Sequence, residues 1–126
     1  MIVLDAGALL ALERDDPQLW DELLACVRHD VPVVVPAAAF AQAWRGGSRQ
    51  ARLARALRHC ATASFDDLAP AAGVLCGATG TADVVDASVA LVAADPEVTA
   101  LRTSDPADLG LLLDVLGAAH VRILPC

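Results

Sequence analysis

Short runs that are apolar throughout alternate along the chain with longer stretches in which apolar residues return every third or fourth position, predicting strands interleaved with helices. Ile2-Val3-Leu4 has the pattern of a strand covered on both faces, with Asp5 at its C-terminal tip. Ala6 to Glu13, carrying Leu9, Leu10 and Leu12, reads as a helix that the polar stretch Arg14-Asp15-Asp16-Pro17 ends. Asp16 caps a second helix with Pro17 at its first position. In it Leu19, Trp20, Leu23, Leu24 and Val27 repeat at helical spacing, which places Trp20 in the core. Val31 to Val35 is the second buried strand. Pro36 starts a helix in which Phe40 and Trp44 are i, i+4 partners and Gln42 points the other way, and Gly46-Gly47 ends it. Ser48 is the expected N-cap of the next helix, held by Leu53 and Leu57. A brief strand over Thr62 to Phe65 follows. Asp66-Asp67 opens a helix through Leu68, Val74, Leu75 and Cys76, closed by Gly77 to Gly80. Asp83 begins a helix that reaches Ala94, and Val98 to Thr103 forms the fourth strand, ending at Ser104-Asp105-Pro106. A helix over Ala107 to Ala119, with Leu109, Leu112, Leu113 and Leu116, and a strand over Val121 to Leu124 complete the pattern.

Strands that are apolar on both faces and alternate with helices imply an α/β fold with a parallel sheet between two helical layers. The 126 residues form one domain, 1–126, long enough to bury a core without metal or disulfide staples. In such sheets ligands bind beyond the C-terminal strand ends, where the strand order reverses. Adjacent first and fourth strands would bring Asp5 and Asp105 together at that point.

No apolar run approaches the ~20 residues of a membrane span, and Met1-Ile2-Val3-Leu4-Asp5 has no basic segment of the kind that opens a signal peptide. The expected compartment is the cytoplasm, with no membrane partner. Cys26, Cys60, Cys76 and Cys126 show no C-x-x-C spacing, so they read as packed thiols. His29, His59 and His120 fall at helix ends, where capping is the simpler role. The net charge of −7 excludes a protein that coats nucleic acid by bulk electrostatics. All nine basic residues are Arg, and five of them (Arg45, Arg49, Arg52, Arg55, Arg58) lie between Trp44 and Cys60 with no acid among them, which puts one basic segment on an acidic body.

The chemistry concentrates in Asp83-Val84-Val85-Asp86-Ala87, where two carboxylates three apart share the first turn of an otherwise apolar helix. An N-cap with an acid at the third helical position accounts for that pair alone. Together with Asp5 and Asp105 it makes four carboxylates for one crevice, an arrangement that calls for a cation, and hard oxygen donors suit Mg²⁺ or Mn²⁺.

These residues resemble the PIN-domain ribonucleases, in particular the VapC-like toxins of bacterial toxin–antitoxin pairs. The resemblance spans nearly the whole chain. It is carried by Ile2-Val3-Leu4-Asp5 before the Gly7-Ala8-Leu9-Leu10 helix start, by the helix after Val33-Val34-Val35-Pro36, by Asp83-Val84-Val85-Asp86-Ala87 and by Thr103-Ser104-Asp105-Pro106. It implies a PIN-like three-layer α/β/α sandwich with a five-stranded parallel sheet whose first and fourth strands are neighbours. The catalytic, metal-holding acids would be Asp5, Asp86 and Asp105, with Asp83 beside them and Gln42 and Ser104 as outer-shell groups. The implied activity is a Mg²⁺- or Mn²⁺-dependent endoribonuclease, a toxin bound by a cognate antitoxin protein and forming a homodimer. Arg45, Arg49, Arg52 and Arg55 would grip RNA phosphates around the acidic centre.

The chain departs from that family pattern at one position. Where these toxins carry Glu on the third helix, this chain has Gln42, which offers a carbonyl oxygen but neither charge nor base. The alternative reading is accordingly a non-catalytic PIN-like binding module that acts through a protein partner. Phosphotransfer of the haloacid-dehalogenase or receiver kind relies on a Lys near the acids, and the chain has none. Rossmann and P-loop nucleotide sites are excluded by the absence of G-x-G-x-x-G and G-x-x-x-x-G-K.

Overall fold

A computed structural model describes residues 1–126. Its strands are β1 (Ile2–Leu4), β2 (Val33–Pro36), β3 (Ala61–Ala63), β4 (Ala100–Thr103) and β5 (Arg122–Pro125). The helices are α1 (Ala6–Glu13), α2 (Pro17–Arg28), α3 (Ala37–Ala43), α4 (Ala51–Leu57), α5 (Ala69–Thr79), α6 (Val84–Ala93) and α7 (Pro106–Val115). The five strands form one sheet in the order β3-β2-β1-β4-β5. Every pairing is parallel, with Val3 opposite both Val34 and Leu101. Since β1 leads outward to β2 on one side and lies against β4 on the other, the reversal of strand order falls between β1 and β4, as the α/β reading expects.

The period of two along β1 builds both halves of the core. Leu4 faces a cluster with Leu9, Leu12, Leu19, Trp20, Leu23 and Leu53 from α1, α2 and α4. Val3 faces the opposite cluster, with Leu75, Val89, Leu109 and Leu113 from α5, α6 and α7. Helix α3 reaches both, through Ala43 to the first and Ala39 to the second. The result is a three-layer α/β/α sandwich. Trp20 is core, as its spacing predicts, and its indole N–H donates to the Leu12 carbonyl at 2.9 Å. No single helix is long and apolar enough to cross a membrane.

The boundaries differ from the sequence reading where a cap does what periodicity does not reveal. The second strand begins at Val33, not Val31. The reason is that Asp30, at φ 54°, turns the end of α2 so that the Val31 N–H bonds the Cys26 carbonyl at 2.9 Å. Likewise α7 stops at Val115 because Gly117, at φ 69°, lets the Ala118 N–H close on the Leu113 carbonyl. Strand β3 is Ala61–Ala63 rather than Thr62–Phe65, since its partner β2 ends opposite Ala63, at Pro36. Asp66–Leu68 is a 3-10 turn ahead of α5, and of the two glycines near the end of α5 only Gly80, at φ 71°, terminates it. Ser48 does not cap α4 but begins a 3-10 turn (Ser48–Gln50). What holds that corner is Gln50, whose side chain is buried. Its Oε1 accepts from the Arg45 and Gly46 amides at 2.7 and 2.9 Å, and its Nε2 donates to the Ala43 carbonyl at 2.9 Å.

Candidate metal centre at the strand reversal

Three helices begin around the C-terminal ends of β1 and β4, and each begins on an aspartate. Asp5 Oδ1 accepts the Ala8 N–H at 2.7 Å, Asp83 Oδ1 the Asp86 N–H at 3.0 Å, and Asp105 Oδ1 the Asp108 N–H at 3.4 Å. Each thus satisfies one otherwise unpaired donor of the first turn, and the helix dipole favours its charge there. The Asp105 N–H in turn donates to Oγ1 of the fully buried Thr103 at 2.8 Å. Gly7 lets the β4–α7 turn close on α1. A Cβ at position 7 would lie only 2.5 Å from Ser104 Cβ, so no side chain fits without displacing the turn that carries Asp105.

Carboxylate oxygens of Asp86, Asp105 and Asp108 all lie within 4.8 Å of one another. Burial pushes the Asp86 carboxyl from the ordinary 3.8 up to about 7, helped by the charges of Asp83, Asp105 and Asp5 and by a hydrogen bond with Asp83. Asp108 is exposed, and its carboxyl is raised first by the charge of Asp105 and then by its hydrogen bond with that residue. No basic side chain answers this charge, for the two ion pairs of the molecule lie elsewhere, joining Arg52 to Asp15 and Arg102 to Glu22. A set of hard oxygen donors, close together and unneutralised, is one that a metal ion can fill.

Of the residues expected from sequence, Asp86 and Asp105 meet in this group, and Asp83 adjoins it as the cap of α6. The third member is Asp108, which the sequence reading passed over although Asp105 and Asp108 repeat the spacing of Asp83 and Asp86. Asp5 is 6% exposed and stands outside the three, close enough for its charge to act on Asp86. Burial raises the Asp5 carboxyl, while hydrogen bonds from the Thr103 hydroxyl and the Ala8, Ser104 and Gly7 amides pull it down. The exposed Ser104 packs over Gly7.

Gln42 is exposed and lines a groove of about 540 Å³ with Glu13, Arg45, Arg49 and Gln50, a groove that none of the aspartates lines. The arginines divide into two groups. Arg45 and Arg49 face this groove. Arg52 donates to the Glu13 carbonyl at 3.0 Å and pairs with Asp15 at 3.5 Å, and the Arg55 guanidinium lies 4.6 Å from the centre of the Trp20 ring. Asp86 and Asp108 of the carboxylate group also line a cleft of about 200 Å³, together with Asp83, Thr79, Thr81, Leu111 and Leu112.

Comparison with models of known protein families finds no match, and a search of curated proteins finds none either.

Proposed function

We propose that this protein is a metal-dependent endoribonuclease of the PIN type, the toxin of a VapBC-like pair, with Mg²⁺ or Mn²⁺ as its ion. The observation that carries this reading is the convergence of Asp86, Asp105 and Asp108 at the strand reversal with no protein cation to balance them. Asp86, Asp105 and Asp108 would hold the ion, which when bound polarises a phosphodiester and lowers the pKa of a coordinated water. Asp83 and Asp105 fix the first turns of α6 and α7, and so hold the Asp86 and Asp108 backbone in register. Asp5, held by amides and the Thr103 hydroxyl, adds negative charge from the β1 side. Arg45, whose backbone amide the Gln50 side chain holds, and Arg49 line one groove and receive phosphates that flank the bond to be cut. On this reading the partners are an RNA substrate, a cognate antitoxin and a second copy of the chain, in the cytoplasm.

The test is cleavage of labelled RNA by the purified chain with Mg²⁺, with Mn²⁺ and with chelator, beside Asp105→Asn. Cutting that needs the metal and is lost in the variant is expected; RNA left intact under every condition sinks the nuclease. The exposed Gln42, in place of the family's Glu and facing a groove away from the three aspartates, favours one other reading, a binding module without catalysis. A module of that kind would bind its protein partner equally well in metal and in chelator.

A further inference from the structure

We propose that the end of the sheet opposite the aspartates carries a docking groove for an extended, acidic segment of a partner protein that inserts one apolar side chain. The strands are parallel, so the groove, where β2 and β3 begin, lies away from the carboxylates at the C-terminal ends of β1 and β4. It stands whether or not the protein is a nuclease. The groove has a volume of about 340 Å³ and a mostly apolar lining, from Val27 of α2, Val31 and Val33 at the approach to β2, and Ala61 at the start of β3. Val27 is 42% exposed, and Leu24, one turn back on α2, is 39% exposed, while Leu19, Trp20 and Leu23 of the same helix are buried. Two large aliphatic side chains at i, i+3 left open beside an apolar groove mark a contact face.

The charge around the groove selects its occupant. The protein is acidic, at −7 overall, yet Arg28 follows Val27 and His29 caps α2 on one side, and Arg58 precedes His59 on the other. All four are exposed, and the two ion pairs of the molecule use none of them. An acidic partner is attracted here and repelled by the rest of the surface. Asp30, the one acid in the lining, disfavours a carboxylate inside the groove. An uncharged apolar side chain therefore belongs in it, with acids to either side. No aromatic side chain lines the groove to stack a base, and Asp30 repels a phosphate, so a protein segment fits better than a single-stranded nucleic acid. The partner's backbone also has a place. β3 is the outermost strand, with Ala61 and Thr62 exposed, so its free edge can pair with an added strand that runs past the groove at Ala61.

The test selects displayed random peptides on the whole chain in chelator and measures the enriched ones by fluorescence anisotropy. Peptides with acids on both sides of one apolar residue are expected, and changing that residue to Ser should weaken binding about tenfold. Val27→Asp, at an exposed position, should also weaken it about tenfold. Arg28→Ala with Arg58→Ala should weaken it and flatten its salt dependence, and circular dichroism checks that each variant keeps its fold. A selection that enriches no acidic peptide, or peptides that bind Val27→Asp as tightly as the parent, overturns the proposal. It is equally overturned if Val27→Asp leaves the peptides bound but releases a single-stranded RNA, or dissociates a dimer of the chain in sedimentation.

Discussion

Replacing Asp86 by Asn removes a charge without changing the shape of the first turn of α6, because the Asp83 cap bonds the backbone amide at position 86 and not its side chain. The carboxyl of Asp86 rises from 3.8 to about 7 on folding, for reasons that begin with burial and continue with Asp83, Asp105 and Asp5. A group whose folded pKa exceeds its unfolded pKa contributes its stability fully below the unfolded value and loses it as pH climbs through the folded value. The window is therefore between about pH 4 and about pH 7. Three pH units correspond to a ceiling of roughly 4 kcal/mol. The carboxyl is partly open to water, so screening brings the expected effect down to about 1–2 kcal/mol. Urea denaturation in chelator at about pH 5 and about pH 8.5 measures it as a difference between parent and Asp86→Asn, in which other titrating groups cancel. The variant should exceed the parent by only about a third of the full effect at the acid end, which lies low in the window, and by about 1–2 kcal/mol at the alkaline end. A gap that does not grow between the two pH values would show that the charge at position 86 is not under strain.

In the parent, millimolar Mg²⁺ or Mn²⁺ should raise the melting temperature, by about 1.4 kcal/mol of stability at tenfold excess over Kd, and Asp105→Asn should remove that rise in a thermal-shift titration. Gly7→Ala forces a Cβ into Ser104 and is expected to cost about 1–3 kcal/mol in denaturant melts, with a weaker metal response; full stability would mean that the turn moves freely. Arg45→Ala with Arg49→Ala should weaken RNA binding and reduce its salt slope by about 1–1.5, read by fluorescence anisotropy. Arg55→Ala should leave RNA affinity alone and cost about 0.5–1 kcal/mol through its lost contact with Trp20.

The sheet was legible because a parallel strand covered on both faces is apolar throughout, so Ile2-Val3-Leu4 and Val33-Val34-Val35 declare themselves without help from the rest of the chain. Helix ends were less so. Those at Asp30 and Gly117 are decided by left-handed backbone at single residues, which a hydrophobic period does not register. At the acidic centre the strand-tip position of Asp5 and the family pattern both pointed to it, and it is buried, outside the group of three but near enough for its charge to act on Asp86. The sequence reading overlooked Asp108, whose only mark is a spacing from Asp105 that any capping pair shares. The arginines form one basic segment in sequence, but because Arg49, Arg52, Arg55 and Arg58 advance by three the row spirals round the helix rather than making a straight stripe. In three dimensions that advance carries Arg52 and Arg55 round to α1 and α2 and leaves Arg49 at the groove. Gln50 had no signal at all, since a polar residue buried to tie a corner looks in sequence like any other glutamine on a helix.

The pairing of β1 with β4, which sets Ile2 opposite Ala100, also fixes when the centre can come into being. A ribosome adds about 5–20 residues per second, so Asp5 emerges some 5–20 s ahead of Asp105 and Asp108. Through that interval β1 can pair with β2 as soon as Val33–Pro36 appears, but its other edge lies open, a template for any stray strand. Asp83 and Asp86 are made in the meantime without Asp105, one of the charges that join burial in raising the Asp86 carboxyl. The acidic group is consequently incomplete until β4 and α7 have been made, and the segment that covers the open edge of β1 is the one that brings Asp105 and Asp108 to Asp86.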